Sequence, residues 1–386
     1  MKPFNFNTSA SIRFGAGLLA QIGDMTKAEI GSRVLLVTDP GMMATGIVEK
    51  ALAALQEAGV AVTLYQDVKA DPPEEVINHC AQLAIQSKVQ GVIGLGGGSS
   101  LDVAKLVALL GMGRESLKDV YGVGNAKGPR LPLILVPTTS GTGSEVTPIS
   151  IVTTGESEKM GVVSPVLLPD IALLDPELTL GLPPHITAAT GIDAMVHAIE
   201  AYASASPNNN PISRKLSTEA LQLMGASLET AVHSGDNIQA RSDMLLGSML
   251  AGQAFANSPV AAVHALAYPI GGHFHVPHGL SNALVLPYVL RFNAEVAPEP
   301  YAEIAGFAFP ELAKITDVKE RAMAFCDAMA ALSQRCGLQQ SLREMDIPKD
   351  VLPKLASDAM NQTRLLVNNP RELSEADVLG IYTAAW

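Results

Sequence analysis

Short apolar runs rich in β-branched residues punctuate the first half of the chain: Val34–Thr38, Ala61–Tyr65, Gly91–Leu95, Leu133–Pro137 and Ile149–Thr153. Between several of them lie helical patterns, such as Gly46–Ala58 and Pro73–Gln86. This strand–helix alternation predicts βαβ units and a parallel sheet. From about Leu182 the texture changes. Long Ala/Leu/Met-rich segments follow one another, broken at Ser206–Pro211, Ser234–Asn237, Asn257–Pro259 and Asn293–Pro300. No strand series appears, so this half reads as all-helical. The pattern is interrupted near Leu178–Pro184, which places an α/β domain at 1–181 and a helical domain at 182–386.

Composition bounds the function. At 386 residues the chain exceeds one typical domain, and both halves can bury a core. Aromatics make up only 4% of it, so Ala, Leu, Val, Ile and Met must fill the interior. A net charge of −12 argues against nucleic-acid or anionic-membrane partners. Cys80, Cys326 and Cys336 show neither metal spacing nor a disulfide framework, which suits a reducing, cytoplasmic setting. The opening MKPFNFNTSASIRFGAG lacks the apolar stretch of a signal peptide, and no membrane span is expected.

The segment VQGVIGLGGGSSLDVAK, Val89–Lys105, runs an apolar strand into glycines, two serines and a helix start. Glycines let main chain approach a ligand closely, and the first helical turn presents free N–H groups and a positive dipole end. Diphosphate binding is the natural use; a plain strand-to-helix turn capped by Ser99 or Ser100 is the structural alternative. No Gly-Lys-Ser/Thr follows, so the turn is not a phosphate loop of the nucleotide-hydrolase type. A second polar loop, PTTSGTGSEVT at Pro137–Thr147, follows another apolar run and offers hydroxyls and main-chain donors. Asp39 ends the run VLLVTD. There a carboxylate can accept hydrogen bonds from an adenosine ribose and repel a 2′-phosphate, favouring NAD over NADP, or it can simply cap a turn.

The densest chemistry lies in the second half. Asp193 and His197 stand four apart in a helical stretch and so share one face. His264, His273, His275 and His278 follow within 15 residues, half of the chain's eight histidines. A carboxylate with clustered imidazoles suits Fe²⁺ or Zn²⁺. Spacing alone leaves open which of these histidines bind.

Four segments, GGGSSLDVAK, PTTSGTGSEVT, GIDAMVHAIEAY and HALAYPIGGHFHVPHGLSNALVLP, resemble the iron-containing (group III) alcohol dehydrogenase family. The resemblance extends over most of the chain. It implies an N-terminal Rossmann-like α/β domain followed by an all-α C-terminal domain, an architecture like that of dehydroquinate synthase. It implies NAD as cofactor and Fe²⁺, with Zn²⁺ as the alternative, on Asp193, His197, His264 and His278. It also implies a cofactor site drawn from Asp39, Gly97, Gly98, Ser99, Thr138, Thr139, Thr142, Ser144, Lys159 and Leu178. Asp102, just behind the glycine turn, would orient the loop. His273 and His275 fall outside the ligand pattern and become candidates for positions beside the metal or substrate. Homodimers or larger homo-oligomers are usual for the family.

One position departs from the pattern. Many members carry a histidine four residues after the third ligand, where it relays a proton; here that residue is Tyr268. A tyrosine titrates far above neutrality unless perturbed. Tyr268 is similar to the hydroxyacid–oxoacid transhydrogenase branch. The expected reaction is hydride transfer between NAD(H) and a primary alcohol, aldehyde or small hydroxy acid, with His264, His278 and Tyr268 nearest the chemistry. A lyase of the dehydroquinate synthase type would want basic residues near the metal. Gly252–Asn282 contains no Lys or Arg, which disfavours it. A hydrolase leaves the glycine turn unexplained, and a non-catalytic relative would have lost ligands.

Overall fold

The computed structural model describes residues 2–155 and 158–386, which divide into two compact units. One is Asn7–Gly181; the other is Leu182–Trp386 together with residues 2–6.

The first unit is built on a six-stranded parallel sheet in the order β1-β9-β6-β4-β2-β3. Its strands are β1 (Ser11–Phe14), β2 (Arg33–Val37), β3 (Ala61–Tyr65), β4 (Gly91–Gly96), β6 (Leu133–Pro137) and β9 (Ile171–Leu174). The central strands are buried on both faces, which is why they read as unbroken apolar runs. Alternate residues feed two separate cores. Leu35, Val37, Val92, Leu133 and Leu135 enter one, and Val34, Leu36, Ile93, Leu95, Ile134 and Val136 enter the other. From β2 the chain visits β3 on one side and β4 on the other. The loops after β2 and β4 therefore open beside each other at the carboxyl end of the sheet, where ligands of such sheets gather.

One expectation needs correction. The run Ile149–Thr153 does not join the parallel sheet. As β7 (Ile149–Thr154) it pairs antiparallel with β8 (Glu158–Val163), and with β5 (Gly122–Val123) the three form a separate small sheet. β7 alternates buried with half-buried positions, the pattern of a sheet covered on one face. The strands β1 and β9 also carry no expectation in the sequence reading. Both are only four residues long, too short for a periodic signal.

The second unit is helical. Pro184–Ala203 begins with proline at its first turn, where the missing N–H costs nothing. From Gly191 to Ala203 it is buried on every side, packed among Pro211–His233, Ile238–Asn257 and His278–Ala294. Two glycines set how closely these helices approach. A Cβ at Gly191 would stand 2.4 Å from Leu228 Cδ1, and one at Gly279 would stand 2.4 Å from the Ala189 carbonyl oxygen. The second contact seats the start of His278–Ala294 against the turn that carries Asp193. No helix among the described residues is long and apolar enough to cross a membrane.

Candidate active site

Three helices of the second unit bring the metal candidates together. Pro184–Ala203 carries Asp193 and His197, Ala262–Phe274 carries His264, and His278 opens His278–Ala294. Ligand atoms of Asp193, His264 and His278 all lie within 4.8 Å of one another. His264 Nε2 and His278 Nε2 each stand 3.8 Å from Asp193 Oδ1. That is too long for a hydrogen bond. It is close to the roughly 3.4 Å edge of a tetrahedron whose ligands sit ~2.1 Å from a central ion.

The buried atoms say the same. Asp193 and His264 are almost wholly buried, yet His264 Nε2 has no hydrogen-bond partner. A buried polar atom left bare in this way calls for a partner, and an ion is one. Burial alone would raise the pKa of Asp193. The charges of His197, His278 and His264 and a hydrogen bond from Asn282 outweigh it and hold the carboxyl below its usual value. The set is one anionic oxygen and convergent imidazoles, a donor set that fits a divalent transition metal. His197 lies outside the tight cluster, its ring stacked on Phe255 at 4.4 Å and on His264 at 4.7 Å between centroids. Tyr268, half-buried on the same helix as His264, sits with its ring 5.9 Å from that of His278.

His273 and His275 are not part of this pocket. His273 turns outward and pairs with Asp358 at 2.7 Å. His275 ends its helix in the left-handed conformation, φ 54°, with its side chain exposed. His273 stands nine residues after His264, about half a turn round the helix, and the helix ends at Phe274 before His275, so neither residue stays on the face of His264.

Two residues of the pocket carry no expectation in the sequence reading. Asn282 donates to Asp193 Oδ1 at 2.6 Å. It stands four residues after His278, so helical spacing from a ligand is the signal that would have found it. Glu200 accepts from the main-chain N–H of Val263 at 2.7 Å and lies 2.7 Å from His264 Nδ1. It continues the face of Asp193 and His197 at helical spacing.

In the α/β unit, a cleft of ≈ 360 Å³ is lined by Asp39, Pro40, Val68, Lys69, Ala70, Gly97, Gly98, Ser99 and Ser100. The helix Gly98–Leu110 opens here with Gly97 as its N-cap and no side-chain cap. Ser99 and Ser100 therefore do not cap it, contrary to the structural alternative. The Ser100 hydroxyl instead donates to Asp39 Oδ2 at 3.0 Å, tying the loop after β4 to the loop after β2. Asp39 does cap: its other oxygen accepts from Met42 N at 3.1 Å. Asp39 is thus a turn cap whose side chain also lines the cleft.

The glycines differ in what they permit. A Cβ at Gly98 would meet Thr142 Cγ2 at 2.8 Å, and Gly96 holds φ +149°, which favours glycine. Gly97 has only ordinary contacts, the nearest to Thr139 at 3.7 Å, so its open face is left for a ligand. Behind the turn, Asp102 binds the polar loop. It accepts from Ser144 Oγ at 2.6 Å, from Lys105 Nζ at 3.2 Å and from Ile151 N at 3.0 Å.

The other cofactor candidates are scattered. Thr138 is buried with its hydroxyl against Met42 Sδ, Ser144 is spent on Asp102, and Leu178 is in the core. Thr139 and Thr142 stand half-exposed beside the turn. Lys159, on β8, pairs with Asp71 at 2.7 Å and donates to Thr153.

Comparison with known proteins identifies the family. Residues 9–176 match the profile of the Iron-containing alcohol dehydrogenase family, and residues 187–386 match that of the Fe-containing alcohol dehydrogenase family, C-terminal. The chain is 41% identical to long-chain-alcohol dehydrogenase 1 of Geobacillus thermodenitrificans, over 96% of this chain and 94% of that one. It is 34% identical to 1,3-propanediol dehydrogenase of Klebsiella pneumoniae, over 97% and 96%. Among solved structures, a 1,3-propanediol oxidoreductase superposes with a TM-score of 0.95 at 32% identity, covering 100% of both chains. Sulfoacetaldehyde reductase from Bifidobacterium kashiwanohense in complex with NAD⁺ superposes with a TM-score of 0.88 at 29% identity, covering 100% of this chain and 99% of that one. The chain belongs to the iron-containing alcohol dehydrogenase family. It is an enzyme, an NAD(H)-linked, metal-dependent oxidoreductase acting between alcohol and aldehyde.

Proposed function

We propose that Asp193, His197, His264 and His278 together hold one Fe²⁺, with Zn²⁺ the alternative, and that the substrate is a primary alcohol or its aldehyde. The observation that carries this reading is the convergence of Asp193, His264 and His278 around a buried, unpartnered imidazole nitrogen. When bound, such an ion supplies Lewis acidity toward the substrate oxygen and eases loss of its proton.

The chain's own residues do the rest. Asp193 brings the negative charge that offsets a divalent cation, and Asn282 holds that carboxylate by donating its side-chain N–H. Phe255, stacked on His197, keeps that side of the pocket dry. The Tyr268 ring lies beside that of His278, and in the reduction direction its hydroxyl donates a proton toward the substrate oxygen. In the α/β unit, Gly97, Gly98 and Ser99 offer main-chain N–H groups to the cofactor diphosphate. Asp39 accepts from the adenosine ribose and selects NAD, Asp102 fixes the loop bearing Thr139 and Thr142, and Lys159 marks the far rim. Thr138, Ser144 and Leu178 contribute by packing.

The relatives named above act, by their names, on long-chain alcohols, 1,3-propanediol and sulfoacetaldehyde, which supports an alcohol or aldehyde as substrate. A hydroxy acid, handled in a transhydrogenase-like reaction, is the second reading, favoured by tyrosine at 268. The absence of Lys and Arg from Gly252–Asn282 favours the uncharged substrate. Location in the cytoplasm is supported by three buried, free cysteines. A homodimer or larger homo-oligomer is supported by β1, an edge strand with Ile12 and Phe14 exposed. The test is an anaerobic screen of short and long primary alcohols, diols, aldehydes and hydroxy acids with Fe²⁺ or Zn²⁺ restored. Higher kcat/KM on uncharged primary alcohols or aldehydes is expected; turnover confined to hydroxy acids would favour the second reading.

A further inference from the structure

We infer that Glu200 is a positioning residue for His264, a buried carboxylate whose two acceptor oxygens fix the imidazole as its Nδ1–H tautomer. The inference rests on the metal reading of the pocket given above. Glu200 is almost wholly buried, and both of its oxygens are engaged at the start of one helix. Oε1 takes the N–H of Val263, and Oε2 stands 2.7 Å from His264 Nδ1. The Val263 N–H is one of the first-turn donors that no carbonyl of its own helix can reach. Ala261, the N-cap, has no side chain to cover it. Glu200 therefore caps Ala262–Phe274 from a neighbouring helix, and its negative charge sits at the positive end of that helix.

This geometry decides what His264 can do. The Val263 N–H can only donate. A carboxylate can only accept, so His264 Nδ1 must carry a proton to make its bond. A neutral imidazole with hydrogen on Nδ1 has its lone pair on Nε2. That nitrogen is the buried atom without a hydrogen-bond partner, facing Asp193 Oδ1 at 3.8 Å. Carboxylates hydrogen-bonded behind a metal-binding histidine work this way in general, setting tautomer and ring orientation.

An amide of the same shape cannot substitute. Glutamine offers one oxygen and one NH₂ group. If the oxygen serves Val263, the NH₂ faces Nδ1, which must then accept, and the proton moves to Nε2. If the oxygen serves His264, two buried donors confront each other at Val263. The first arrangement takes the lone pair from the ligand nitrogen and the second leaves a buried donor clash at the start of the helix that seats it, both without a change in volume.

The test uses the full-length protein stripped of metal and titrated with Zn²⁺ against a chromophoric chelator. Wild type and His264→Ala are the controls. Should wild type take up no zinc, or His264→Ala bind it as tightly, the metal reading fails and this inference goes with it. With the controls in order, Glu200→Gln is expected to bind zinc about 10- to 100-fold more weakly. Affinity within threefold of wild type overturns the proposal. A second measurement needs no variant: ¹⁵N-histidine NMR of the zinc-loaded wild type. A proton on His264 Nδ1 with zinc on Nε2 is expected. Zinc on Nδ1, or no proton there, overturns the proposal even if Glu200→Gln fails to fold.

Discussion

In the α/β unit, the surface offered to a cofactor is largely main chain: Gly97, Gly98 and Ser99 at an uncapped helix start, with Asp39 as the one acidic side chain. In the helical unit the pocket is made of side chains, Asp193, His264 and His278, seated by three helices and braced by Glu200 and Asn282. The first site is specified by what the residues lack, the second by what they carry. A main-chain site fails when a side chain intrudes on it. A side-chain site fails when a donor atom disappears. The two should therefore fail independently, each under its own kind of substitution.

The largest separation is expected from His264→Ala. Several kcal/mol of transition-state stabilisation go with the ion, so kcat/KM should fall at least ~1000-fold. NADH binding, followed by fluorescence, should stay within twofold. A parallel loss of NADH affinity would break the division of labour. The converse substitution is Gly98→Val. Its Cβ would press on Thr142, and NADH affinity should drop about tenfold or more. Metal content should remain that of wild type.

A smaller effect is expected from Asp39→Gly. Removing a charge next to the ribose should lower the NAD/NADP ratio of kcat/KM about tenfold, measured with both cofactors. The lost cap at Met42 should cost only a few tenths of a kcal/mol, since glycine is itself tolerated there. An unchanged ratio would reduce Asp39 to a cap and a tether for Ser100.

The effect that leaves both sites untouched concerns the buried acid of the polar loop. Burial pushes Glu145 from 4.5 up to about 7, against the pull of its own main-chain hydrogen bond and of Lys105. The folded protein thus holds this proton more tightly than the unfolded chain does. Its contribution to stability is full below pH 4.5 and is lost as pH rises through 7. Glu145→Gln should cancel that decline and be the more stable protein at pH 8, by about 3 kcal/mol. Urea unfolding midpoints at pH 5 and pH 8 would show it; an equal gain at both values would contradict it.

How legible each site was follows from the same difference. Asp193 and His197 could be paired by helical spacing, and the histidine cluster by its density. Periodicity could not choose among His264, His273, His275 and His278, because the choice depends on where a helix stops. It stops at Phe274, and the left-handed His275 turns the chain away. Glu200 and Asn282 were missed although both stand at helical spacing from proposed ligands. A lone Glu or Asn on an apolar helix becomes informative only when its partner on another helix is known. In the α/β half, buried central strands were easy to read, while the four-residue strands β1 and β9 and the β7–β8 pairing were not. Asp39 was readable as cap or ligand-facing acid; the cap is present, and the bond from Ser100 in the next loop was not legible.

The central claim is one metal ion per chain, held by the Asp193 cluster. The direct measurement is metal content by mass spectrometry on wild type and Asp193→Ala, both reconstituted anaerobically with Fe²⁺ and desalted. About one ion per wild-type chain and close to none in the variant is the expected result. Equal occupancy in the two proteins would contradict the account.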